Sequence, residues 1–303
     1  MFRTIFTPIL ILGTAIGTAL GSPGEFQPSE VSAKATWFVH LDLISLRSSA
    51  IGRQLIGELD GEAKRQLRQL ERMLNFHPID DLDSATVYGT SKDPEKAVAL
   101  IRGGFDTERL TGIAEDADAY KSVAHGTSTI HSWEDDSKRI YAMIANDRLI
   151  IIGPELELVR TTIDVTNGDG ASLDAAKIFG HVAAAHSPII VAAADLAALG
   201  SLDFDSSLVR KIKGIYISAG EKDGELTAFA TLRTADARSA KLVDQMFHGV
   251  LAFAEASDEV PQDIIDAFKT TLGDKGISLS VSLPIKKFKA LVAQVEKAAE
   301  GLK

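Results

Sequence analysis

The chain of 303 residues contains no cysteine. That absence closes disulfide stapling, thiolate zinc sites, thiol nucleophiles and the lipid-modified cysteine that tethers an exported protein to a membrane. Positive charge is also in deficit: 32 lysines and arginines face 42 carboxylates, a formal net charge of -10. A chain of that sign has no general attraction for nucleic acid or anionic lipid, so no nucleic-acid partner is expected. G-x-G-x-x-G, G-x-x-x-x-G-K-[ST] and G-x-S-x-G are all absent, so neither a nucleotide cofactor nor acyl-enzyme chemistry is signalled. Long hydrophobic runs are missing too. The stretch from Ile5 to Leu20 is broken by Thr, Gly and Pro8 and is too short for a good membrane span.

What that stretch does resemble is an address. Arg3 gives a positive start, and Ala19-Leu20-Gly21 puts small residues where a cut before Ser22 needs them. Residues 1–21 are therefore expected to be a cleaved signal peptide, the alternative being an uncleaved anchor, and the protein to be periplasmic or secreted. No stable membrane span is expected after cleavage. Residues 22–35, polar and carrying Pro23, Gly24 and Pro28, read as a flexible leader. With 45% hydrophobic residues, the remainder has ample material to hold itself together by burial alone.

The pattern then alternates between strands and helices. Thr36 to Leu41 is β-rich and ends at Asp42, a residue suited to cap a helix through Leu43–Asn75. In that helix Leu55, Leu59, Ala63, Leu67, Leu70 and Leu74 form one apolar stripe, with Gly57 and Gly61 as points of division. A hairpin is expected over residues 85–102, a short helix after Asp106, four strands between Tyr120 and Ile152, and a helix after Pro154. The order is replayed 130 residues on: Glu221-Lys222-Asp223-Gly224-Glu225 falls on Ser91-Lys92-Asp93-Pro94-Glu95, Asp236 on Asp106, and Leu279–Pro284 on Leu149–Pro154. This predicts an α+β fold of two related halves, 36–170 and 171–303, with largely antiparallel sheets packed by helices and an internal duplication. Leu242–Phe268 reads as helical, where the first half has strands.

The segment Phe38-Val39-His40-Leu41-Asp42-Leu43-Ile44-Ser45-Leu46-Arg47-Ser48-Ser49-Ala50-Ile51-Gly52 resembles a loose group of exported bacterial α+β proteins of unknown function. Their mature chains open with a similar strand, an Asp, and a helix carrying Leu-Arg-x-Ser and a glycine. The resemblance implies export and the α+β class, and brings no catalytic residues with it.

Chemistry-bearing residues are few. On one extended strand His125, His131 and Trp133 would share a face, with Glu134, Asp135 and Asp136 just beyond. Two imidazoles and a carboxylate suit a metal-assisted hydrolase. Yet the histidines would stand roughly 20 Å apart at about 3.3 Å per residue unless the chain turns near Gly126. A solvated sheet face is the plainer reading, and no metal is expected. His181 and His186 are five apart, off any common helical face. Lys64, Arg65, Arg68 and Arg72 form a basic face opposite the leucine stripe, a surface for an acidic partner or simply a charged exterior. Phe288, Leu291, Val292 and Val295 form a second stripe near the C-terminus.

Three functions stay open. The first is a non-catalytic exported protein that binds a ligand or protein partner in the cell envelope. The second is a metal-assisted extracytoplasmic hydrolase, and the third a carrier of hydrophobic ligands with the leucine-rich helix as its lid. A stripe too long for its own sheet would also serve as a homodimer contact.

Overall fold

The computed structural model describes residues 23–173, 188–200, 209–256 and 260–287. The expected signal peptide, His181, His186 and the stripe from Phe288 onward lie outside them. The described residues form twelve strands: β1 (Trp37–Asp42), β2 (Leu82–Gly89), β3 (Val98–Gly103), β4 (Lys121–His125), β5 (Ser128–Asp135), β6 (Lys138–Asn146), β7 (Leu149–Gly153), β8 (Pro188–Ala194), β9 (Ile212–Lys222), β10 (Glu225–Thr234), β11 (Phe268–Gly273) and β12 (Gly276–Pro284). Seven helices accompany them: α1 (Leu43–Ser48), α2 (Ala50–Glu58), α3 (Gly61–Leu74), α4 (Thr107–Glu115), α5 (Leu156–Thr166), α6 (Ala237–Ala256) and α7 (Gln262–Ile265). None is long and apolar enough to cross a membrane.

All twelve strands join one sheet in the order β11-β12-β10-β9-β8-β1-β2-β3-β7-β6-β5-β4. Every pairing is antiparallel, so the α+β class with antiparallel strands is the observed one. At the centre β1 takes β2 on one side and β8 on the other.

Alternation along these strands gives the sheet two apolar faces. Phe38, Tyr88, Val98, Leu100 and Ile151 join α5 residues Val159 and Ile163 in one core. Val87, Ala99, Ile152, Ala142 and Trp133 point to the other face, where Ala114 of α4 meets them, and Leu41 joins Leu43, Leu46 and Ile51 of α1 and α2.

Residues 23–35 are not the flexible leader expected of them. Phe26 stacks on Phe38 with ring centroids 4.6 Å apart, and Val31 is wholly buried. Val31 O accepts from Leu173 N at 2.7 Å, and Ala33 N donates to Ala171 O at 2.9 Å. The polar composition concealed three apolar anchors, Phe26, Val31 and Ala35, spaced to reach the sheet.

The expected helix through residues 43–75 is three helices. Each starts at its own cap: Asp42 accepts from Ser45 N at 2.8 Å, Ser49 from Gly52 N at 2.8 Å and Asp60 from Ala63 N at 2.7 Å. Gly52 is needed, because a Cβ there would strike Leu46 O. Arg47 donates to the carbonyls of Ile79 and Leu82, so the Leu-Arg-x-Ser segment ties α1 to the start of β2. In the second half Phe268 begins β11 instead of ending a helix. Pro261 precedes the four-residue α7, and β11 then pairs with β12 from Phe268 opposite Val281.

Candidate functional site

The strand register separates the two histidines. Gly126, with φ at +59°, turns the chain between β4 and β5, so His125 pairs with Ser128 and His131 with Ser122. Side chains opposite one another share a face, and 128 and 131 differ by an odd number, so the two imidazoles leave opposite faces of the sheet. His125 Nε2 lies 2.7 Å from Asp164 Oδ1 on α5. His131 Nδ1 lies 3.0 Å from Tyr120 Oη, on the face that Trp133 shares. Glu134 pairs with Arg139 at 2.7 Å. The turn near Gly126 that would have united the histidines is present and sends them apart. No group of three or more metal-ligating side chains forms among the described residues.

The Trp133 face holds something the strand pattern did not show. Between it and α3 lies a cavity of about 410 Å³. From the sheet, Leu41, Ile101, Ile150 and Ile152 form its floor, with His131 and Trp133 at one side. Leu110, Ile113 and Ala114 of α4 form a wall, and Phe76 and Phe105 meet edge to face at 5.5 Å. The roof is α3, whose Ala63, Leu67, Leu70 and Leu74 turn inward with Leu59 just before it. This is the leucine stripe of the sequence, less Leu55, which is exposed.

No residue of α3 is buried, stripe included. An amphipathic helix normally gains its stability by pressing its apolar side onto a core. Here that side looks onto the cavity, and the helix is held at its ends. Asp60 caps the start, Asn75 ends it in the left-handed region at φ +59°, and Arg109 of α4 donates to the carbonyls of Met73 and Arg72 at 3.1 and 3.2 Å. The basic residues lie away from the cavity and make short-range contacts. Lys64 reaches Gly57 O at 3.0 Å, Arg65 pairs with Glu62, and Arg72 Nε donates to Arg68 O at 3.2 Å.

Among the described residues that line the cavity, only Gln66, His131 and Trp133 carry side-chain nitrogen or oxygen. Burial pushes the His131 pKa down, opposed by the charge of Glu115. A second buried imidazole, His40, lies on the α5 face. Its Nδ1 is 2.8 Å from Thr86 Oγ1 and its Nε2 2.9 Å from Gly24 O, with Phe26 against its ring. Burial lowers its pKa to about 4. It is a satisfied core histidine.

No family model matches the chain, and no curated protein matches it. Among solved structures, TP0453 in crystal form III is similar over 88% of this chain and 98% of its own, at 9% identity and a TM-score of 0.49. In crystal form IV the same protein covers 88% of this chain and 96% of its own, at 7% identity and a TM-score of 0.48.

Proposed function

We propose that this is an exported, non-catalytic protein that binds a hydrophobic ligand beneath α3. One observation carries the reading: a cavity of about 410 Å³ with an almost wholly apolar wall, roofed by a helix whose leucines are not packed against anything tighter. The cavity falls in the roughly 300–1,000 Å³ range of small-molecule sites. The carrier reading now leads, and the exported address rests on the N-terminal pattern alone. The separation of His125 from His131 leaves the hydrolase without its paired imidazoles. That the chain is two related halves is supported by the strand order, in which β1-β2-β3-β7-β6 answers to β8-β9-β10-β12-β11.

The test is titration with N-phenylnaphthylamine, a neutral dye that brightens in apolar surroundings. Saturable, one-to-one enhancement is expected, together with a hydrophobic molecule in the organic extract of natively purified protein. A dye signal no larger than that of an unrelated acidic protein would sink the proposal.

A further inference from the structure

Taking the cavity as a ligand site, its wall states what the polar end of the ligand can be. No Lys, Arg, Asp or Glu of the described residues contributes to it. A carboxylate carried into this volume would lose its hydration and meet no counter-charge, whereas a hydroxyl or carbonyl needs only one hydrogen bond.

His131 is placed to make that bond. It is buried on β5, its ring stacked on Tyr120 at 6.0 Å, and its Nδ1 is engaged by the Tyr120 hydroxyl. That contact fixes the imidazole plane and leaves Nε2 for a ligand. Burial keeps the ring neutral near neutral pH, and the charge acting on it is the carboxylate of Glu115, which repels an anion. Gln66 is less free, since its Nε2 lies 3.4 Å from Glu62 Oε1. The cations of α3, Lys64, Arg65, Arg68 and Arg72, are outside the wall.

The geometry points to a neutral single-chain amphiphile, a long-chain alcohol, ester or amide, with its polar end hydrogen-bonded by His131 and with fatty-acid anions rejected. The volume admits one chain: at about 30 Å³ for a water-sized group it holds roughly a dozen heavy atoms.

The experiment displaces N-phenylnaphthylamine from the full-length protein near neutral pH with dodecanol or dodecanoate, both below their aggregation limits. Dodecanol is expected to compete at a concentration at least about tenfold lower. In His131→Leu its advantage should shrink by about tenfold while dye affinity stays within about twofold of wild type. His131→Gln, which keeps a polar group, should retain most of that advantage. Dodecanoate competing as well as dodecanol, or better, would overturn the inference and leave the cavity intact, the head group then lying outside among the α3 arginines. Dodecanol binding unchanged in His131→Leu would remove the anchor. Failure of wild type to bind the dye would instead remove the ligand site itself.

Discussion

His40 shows how the consequence of a single residue can depend on the structure. It lies on the first strand, alternating with Phe38. The structure buries it, gives both ring nitrogens a partner, and lowers its pKa from 6.5 to about 4, by burial first and by the Arg102 charge to a lesser degree, against the Gly24 carbonyl. A folded pKa below the unfolded one means the unfolded chain takes up a proton that the native chain refuses. Stability from this group is therefore complete above about pH 6.5 and is lost progressively as pH falls towards 4, by about 3 kcal/mol in all. Asp42 acts in the opposite sense. Burial raises its pKa although it caps α1, so the fold gains as it protonates, which flattens the lower end of the acid limb. Urea unfolding across that range should show the loss, and His40→Gln should remove most of its slope. An unchanged slope in the variant would assign the acid sensitivity elsewhere.

At the scale of elements, helix and strand identities were legible over residues 36–166, where each follows from local chemistry, and failed at β11, which the helical reading of Leu242–Phe268 did not foresee. Asp42, Ser49, Asp60 and Asp106 cap the helices they precede, and the turn at Asp93-Pro94 closes its hairpin. The breaks within residues 43–75 were half legible, since glycines can mark a division while Ser49 and Asp60 look equally at home inside a polar helix face. The cavity was not legible. Periodicity says that Leu59, Leu67, Leu70 and Leu74 share a side, but nothing in it says whether that side meets a core or a void. Since none of α3 is buried, the helix should be separable from the stability of the fold. Leu67→Asp combined with Leu70→Asp is expected to weaken dye binding by at least about tenfold, because two carboxylates enter an apolar wall. The melting temperature should fall by no more than a few degrees, corresponding to a cost of about 1 kcal/mol or less. Wild-type dye affinity in that variant would place the dye elsewhere. A collapse of the fold would mean that α3 is part of the core.

Over the whole molecule, sequence landmarks at an offset of 130 residues marked off residues 36–170 from 171–303, and the pairing that joins these two stretches was invisible. β1 and β8 meet from Trp37 opposite Ala194 to Leu41 opposite Ile190, residues far apart in sequence whose register no local pattern records. Other links reinforce the seam. Ile51 N donates to Glu221 Oε2 at 2.9 Å, Asp195 N to Thr36 O at 2.7 Å, and the N-terminal segment bridges Ser32 to Ser172. A sheet that runs unbroken through the seam, with His40, Leu41, Ile190 and Val191 all buried at it, exposes a core whichever half leaves first. The molecule should therefore unfold as one cooperative unit. Both tryptophans, Trp37 on β1 and Trp133 on β5, report on the first half, while amide exchange on β9, β10 and β12 reports on the second. Coincident denaturant midpoints are expected from the two probes. Loss of protection in β9, β10 and β12 well before the tryptophan transition would show that the β1–β8 seam is weaker than either half, and the halves would then be independent folding units laid edge to edge.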